Sequence, residues 1–262
     1  MVRLFALGIV CSWCIIEIMR KKIGANILFI MGKYYIEAKK IKEKPELYEG
    51  IEESCSWILK ENYLFDFLEK LGKGNKILDI GCGNGIFLDR LKKQGFGNIA
   101  GADLANYLKD KSHKHIIADI NVEKLPIEES SYDVITALQV LEHLENYFLI
   151  LQEAARVLKP GGYFIFSVPH PFNIFYRIKF ALTGNMSGFT PDNNHYLFLT
   201  RDVFKKTFLK DFEVADIHYS RGPVPMLGRL NIIPGVKLKA KYRILPRCSW
   251  FADRVCYILR KK

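Results

Sequence analysis

Lys76-Ile77-Leu78-Asp79-Ile80-Gly81-Cys82-Gly83-Asn84-Gly85 runs an apolar segment, with one acid in it, into three alternating glycines. The apolar part reads as a buried parallel strand, and the glycines as a sharp turn into a helix. Glycine suits a place where the backbone must adopt positive φ or let a ligand come close. The stretch therefore predicts a strand, a turn and a helix that hold a ligand against bare main chain.

Beyond it, strand and helix patterns repeat. Strand 77–81 leads into a helix from about Ile86 to Gln94, ended by Gly95. Asn98 to Ala102 reads as a second strand closed by Asp103, and His115 to Ala118 as a short third closed by Asp119. Tyr132 to Leu138 is a fourth strand. Tyr147 to Leu158 is a helix stopped by Lys159-Pro160-Gly161-Gly162, and Gly162 to Val168 is a fifth strand. Thr200 is placed to cap a helix, with Asp202 in its first turn. Phe212 to Tyr219 and Arg254 to Leu259 complete the series. This alternation predicts an α/β fold with a parallel sheet and helices on both faces. Two insertions, 169–199 and 221–250, interrupt the rhythm. Both are aromatic or basic and punctuated by proline. The expected organisation is an apolar and basic segment over 1–32 and a single domain over 33–262.

Charge is unevenly spread along the 262 residues. Residues 1–50 carry 9 basic and 5 acidic side chains, 51–200 carry 15 and 18, and 201–262 carry 15 and 5, which makes +4, −3 and +10 of the total +11. A basic face suits nucleic acid, anionic lipid or an anionic substrate, or is simply solvated. No zinc finger, RNA-binding module or basic repeat is present, so nucleic acid is not an expected partner. The six cysteines show no disulfide or zinc spacing, which predicts a reduced, cytoplasmic protein. The apolar run from Leu4 to Ile16 is short for a membrane span and is followed by Glu17 and Arg20-Lys21-Lys22. It reads as a helix packed on the domain, as a peripheral contact with anionic membrane, or as sequence upstream of a start at Met19 or Met31.

Two ligand classes use such a glycine turn. The dinucleotide fingerprint G-x-G-x-x-G fails by one place, because its third glycine would fall at Ile86. Asp103 and Asp119 close neighbouring strands on the sheet's carboxyl edge, where open α/β sheets bind ligands. An ionised carboxylate offers only acceptors, so it can take both hydroxyls of a ribose. Two acids and a bare turn suit a ligand with a ribose, an exocyclic amine and a cationic group, which describes S-adenosylmethionine better than an anionic dinucleotide.

Leu78 to Gly85 resembles motif I of the class I S-adenosylmethionine-dependent methyltransferases, and Gly101-Ala102-Asp103 resembles their motif II acid. Ala118-Asp119-Ile120, Ser131 to Ile135, Leu138 to Leu144 and Arg156 to Gly162 continue the series in order. The resemblance covers about 75–168 and is nearest the type-11 or methionine-biosynthesis-like subgroup. It implies a Rossmann-like, doubly wound sheet of seven strands in the order 3-2-1-4-5-7-6, with the last strand antiparallel. It implies that Gly81 and Gly83 meet the methionyl end of S-adenosylmethionine beside Cys82 and Gly85, with Asp79 orienting the turn. By the same carry-over Asp103, with Leu104 after it, binds the ribose, while Asp119 and Ile120 meet the adenine. Asn121 is the alternative to Asp119. Leu138 and Gln139 lie beside the methyl donor.

Methyl transfer is an in-line displacement for which the cofactor carries the reactivity and the protein supplies position and desolvation. A base is needed only if the acceptor must lose a proton. His143 and His170 are the candidate catalytic residues, and His195 in the long insertion is a third histidine that could face substrate. Some ubiquinone-pathway O-methyltransferases carry E-x-x-E-H after strand four, with acids that hold a metal. Here Gln139 takes the first place before Glu142-His143, and a neutral amide is a poor ligand for a hard cation, so no required metal is expected. The insertions suit a small-molecule, lipid-linked or glycan-type acceptor. The competing readings are a non-catalytic S-adenosylmethionine-binding scaffold or regulatory subunit and, below it, an RNA or protein methyltransferase. Oligomeric state is not legible in the sequence.

Overall fold

The computed structural model describes residues 58–59, 61–186, 188–189, 195–222 and 245–262. The readings made for 1–32, and for most of 221–250, lie outside the described residues. Seven strands form one sheet in the order β3-β2-β1-β4-β5-β7-β6. They are β1 (Ile77–Ile80), β2 (Ile99–Asp103), β3 (Lys114–Ile117), β4 (Tyr132–Leu138), β5 (Leu158–Pro169), β6 (Phe212–Tyr219) and β7 (Arg254–Lys261). The first five pair parallel, and β7 runs antiparallel between β5 and β6. The expected order and the single reversed strand are both present.

Alternation along the strands decides which layer each residue joins. Ile77, Val134, Ile165 and Ile258 face one way and pack with Leu64, Phe65 and Leu68 of helix α1 (Tyr63–Leu71) and with Phe87 and Leu91 of α2 (Ile86–Lys93). Their neighbours Leu78, Ile135, Phe164 and Leu259 face the opposite layer. That layer is made by Ile150, Leu151, Ala154 and Val157 of α3 (Tyr147–Val157), by Phe204 of α5 (Arg201–Thr207) and by Phe208 just after it. All four residues of β1 are buried, as a strand covered on both faces must be. Thr200 caps α5 by accepting from the Val203 N–H at 3.2 Å.

Three elements differ from their expected form. Lys159-Pro160-Gly161-Gly162 does not lie between a helix and a strand, because β5 already starts at Leu158. Leu158 pairs with Tyr132, a register shift comes next, and pairing resumes at Tyr163 opposite Val134. An irregularity of this kind absorbs the proline and the positive φ of Gly161 inside the strand. The insertion after β5 contains a helix, α4 (Ile174–Thr183), which no alternation or periodicity had marked. Asn173 caps it by accepting from the Tyr176 N–H at 2.9 Å, and Gly184 ends it at φ 68°. α4 buries none of its residues, so the sheet provided no register to read it by. The last strand runs to Lys261, two residues past its expected end, because Lys261 still pairs with Phe212. Among the described residues no helix is long and apolar enough to cross a membrane.

Candidate methyl-donor site

β1, β2, β4 and β5 end on one edge of the sheet, and the glycine turn leaves β1 there. Gly81, Gly83 and Gly85 all have positive φ, at 70°, 51° and 84°. The Gly81 N–H donates to the Ala102 carbonyl at 2.8 Å, which ties the turn to β2. The group Gly81 can offer a ligand is therefore its carbonyl, a partner for an ammonium. Gly101 in β2 makes the close approach possible, since a Cβ there would sit 2.5 Å from the Cys82 sulfur. Burial pushes the Cys82 thiol up, so it stays protonated as a small apolar filler.

Asp103 ends β2 and holds the turn directly. One carboxylate oxygen accepts from the Gly83 N–H at 2.9 Å, and the other from the Leu104 N–H at 2.8 Å. Each oxygen keeps a second lone pair, so the acid can still accept both hydroxyls of a ribose. Burial pushes its carboxyl up to about 6, with the two N–H donors opposing the shift. Asp79 does not bond to the turn. The register sets it opposite Thr136, whose hydroxyl donates to its carboxylate at 2.6 Å. Burial pushes Asp79 up to about 7; the Thr136 bond resists, and the nearby Asp103 charge adds to the rise.

Asp119 lies just past β3 and caps a local turn. Its Oδ1 accepts from the Asn121 N–H at 3.2 Å, and its own N–H donates to Glu123. Ile120 is buried in the core beside it. The side-chain oxygen of Asn121, the alternative to Asp119, accepts from the Glu145 N–H at 3.0 Å and anchors the approach to α3. At the end of β4, Leu138 is buried and Gln139 adopts φ 57°, rare for a side chain of its size. Its N–H donates to the Ser167 carbonyl, and its amide reaches the Ser167 hydroxyl at 3.2 Å. The resemblance singled out Gln139, but nothing in the local sequence marks its strained backbone.

The two candidate catalytic histidines part company. His170 is buried after β5, where its Nε2–H donates to the Ser249 carbonyl at 3.0 Å. Its main-chain N–H donates to the Asp253 carbonyl. Burial holds its pKa below the usual imidazole value, and the ring ties β5 to the 248–253 segment. His143 lies in the short 3-10 turn Leu141–His143 after β4, and its ring centroid is 4.9 Å from that of His195. His195 donates from Nδ1 to the Gly188 carbonyl at 2.6 Å. Glu142, only 1% exposed, reaches within 4.8 Å of both histidines, and its Oε2 has no hydrogen-bond partner. Burial pushes its carboxyl up to about 8 against the field of Arg254. Sequence order hides this cluster, because 52 positions separate His143 from His195.

From His195 a file of rings runs along the same edge. Phe189 is 5.9 Å from His195 and 5.3 Å from Phe198. Phe172 is 5.2 Å from Phe198 and 5.8 Å from His170, and His170 is 5.4 Å from Tyr219 at the end of β6.

A family model described as a methyltransferase domain matches residues 56–213, more than half of the chain. A ubiquinone biosynthesis O-methyltransferase of Paracidovorax citrulli is 32% identical over 105 residues, 36% of this chain and 44% of that protein. One of the same name from Colwellia psychrerythraea is 28% identical over 175 residues, 60% of this chain and 68% of that protein. The chain thus matches less than half the length of the former. An S-adenosylmethionine-dependent methyltransferase of Thermotoga maritima shares the fold, with a TM-score of 0.57 at 16% identity over 85% of this chain and 98% of that one. The glycine turn and its acid fall inside the stretch that the family model covers, and the chain belongs to the methyltransferase-domain family.

Proposed function

We propose that this methyltransferase acts on an oxygen of a small-molecule, lipid-linked or glycan-type acceptor with a flat apolar part. The observation that carries this reading is the file of rings from His195 to Tyr219, which runs along the edge that bears the glycine turn. S-adenosylmethionine supplies an activated methyl group on a sulfonium. In this reading the Gly81 carbonyl and the Asp103 carboxylate hold the donor, and Leu138 and Gln139 back its reactive end. The rings present apolar faces that would exclude water and align a planar acceptor, and alignment alone is worth roughly 7–11 kcal/mol. Glu142, His143 and His195 supply the polar chemistry at the near end of the file. The O-methyltransferase names of the relatives support oxygen as the acceptor atom.

A labelled methyl donor, offered with an extract split into polar and lipid fractions, tests the proposal. Label should enter hydroxylated aromatic or lipid-linked compounds. Label that enters only amines, RNA or protein sinks it, as does donor binding with no transfer in any fraction.

A further inference from the structure

We propose that Gln139 orients the methyl acceptor, its side-chain Oε1 accepting a hydrogen bond from the acceptor hydroxyl. The inference rests on the oxygen-acceptor reading above and names a residue of this chain that would select for such an acceptor.

The end of β4 gives the position. Val140, the next residue, packs so closely on the glycine turn that a Cβ at Gly81 would lie 2.4 Å from its Cγ2. Three residues after Val140 comes His143, whose ring meets that of His195 where the file of aromatic rings starts. Within 139–143 the chain thus passes from the donor turn to the near end of that file.

The local geometry points to a ligand-facing role. Gln139 has φ 57°, a costly conformation for a long side chain. Such strain persists only where the surroundings enforce it, and it concentrates at functional sites. Here the fully buried Ser167, paired with Leu138 across β4 and β5, enforces it. The Ser167 carbonyl accepts from the Gln139 N–H at 3.0 Å. Its hydroxyl oxygen accepts from the same N–H at 3.1 Å and from Gln139 Nε2 at 3.2 Å. With Nε2 tied to a buried serine, Oε1 is the open end of the amide. Among the described residues Oε1 makes no hydrogen bond, and it is not one of the polar atoms sealed in the core. A side chain held by packing and by its own hydrogen bonds can aim such an atom at a ligand.

An amide oxygen is a neutral acceptor. It takes a hydrogen bond and no proton, so it orients a hydroxyl and leaves an oxygen lone pair for the methyl carbon. The oxygen–carbon bond forms as the carbon–sulfur bond breaks, the electron pair stays on sulfur, and the hydroxyl proton passes to water. A site that reads a hydroxyl in this way disfavours analogues that lack one.

The test compares the full chain with Gln139→Met, which keeps the length and loses the acceptor, and Gln139→Asn, which keeps the amide and loses the reach. Asn tolerates positive φ more readily than Gln, so backbone strain cannot explain a defect in it. Two quantities are read: S-adenosylhomocysteine affinity by calorimetry, and label passed from S-adenosylmethionine, at saturating concentration, to the extract fractions that the wild type labels. Both variants should bind S-adenosylhomocysteine within about threefold of wild type, because the main-chain bonds to Ser167 remain, and that binding also reports an intact fold. Label incorporation should fall at least about tenfold in each, as loss of one well-placed hydrogen bond predicts. Full incorporation in either variant overturns the proposal. So does a loss of S-adenosylhomocysteine affinity that matches the loss of incorporation, which would confine Gln139 to the donor site. A wild type that labels no hydroxyl compound sinks the acceptor reading and this inference with it, whereas full incorporation in a variant sinks this inference alone.

Discussion

Asp103 joins the turn to the second strand through two hydrogen bonds, and in the proposed reading that single side chain sets the donor site's geometry. Asp103→Ala should cost roughly 2–4 kcal/mol of S-adenosylmethionine binding, since hydrogen bonds to a charged acceptor are among the stronger ones. Calorimetry that finds unchanged affinity would remove Asp103 from the site. Asp79 makes a prediction about pH. Its carboxyl is raised to about 7 in the folded chain, against about 3.9 for an unperturbed aspartate. The folded state therefore holds a proton that the unfolded state releases, and the ionised form is penalised as pH rises through 7. Asp79→Asn keeps an acceptor for Thr136 and removes the buried charge. Its melting temperature relative to wild type should be clearly higher at pH 8.5 than at pH 5.5. An equal difference at both pH values would mean that Asp79 does not titrate in that window.

The elements hold the site through close backbone approach. β2 can pass behind the turn only because Gly101 lacks a side chain; an added Cβ would meet Cys82 Sγ at 2.5 Å and Leu88 Cδ1 at 3.0 Å. Gly101→Ala should destabilise the fold by about 1–3 kcal/mol, as overpacking does, and Cys82→Ala in the same chain should recover part of that. Urea denaturation of the two variants checks it, and full stability in Gly101→Ala would contradict the packing described. At this scale much was legible from residue patterns. β1 and β4 announce themselves as apolar runs because both of their faces are covered. α4 gave no such signal, because a helix that buries nothing needs no apolar stripe on one side. The start of β5 was hidden by a proline and two glycines, which ordinarily end an element and here sit in an irregular stretch of strand.

At the scale of the whole molecule, the charge is unevenly spread along the chain, with +10 in residues 201–262 and −3 in 51–200, the stretch that holds the glycine turn. A cationic donor suits the mildly acidic part. For residues 1–32 the proposal is a peripheral contact with anionic membrane. The full chain should then float with vesicles that contain anionic lipid more than a chain that starts at Met31 does, and the difference should shrink in high salt. Equal flotation would take the N-terminal segment out of the membrane question.

The order of residues was enough to establish the strand–helix alternation, the glycine turn and the acid that closes the second strand, with the strand order implied by the family resemblance. The alternation depends on local pattern and on the short connections of strand–helix units, which are set directly by chain order. It could not show that Asp79 turns to Thr136, that Asn121 anchors α3, or that His170 ties β5 to the 248–253 segment. Nor could it bring His195 to Glu142 and His143. Those contacts join positions far apart in the chain, and their geometry comes from strand register and from how an insertion folds back over the sheet. Only the tertiary structure decides them, and it moves the search for acceptor chemistry from a lone histidine to a cluster of three residues.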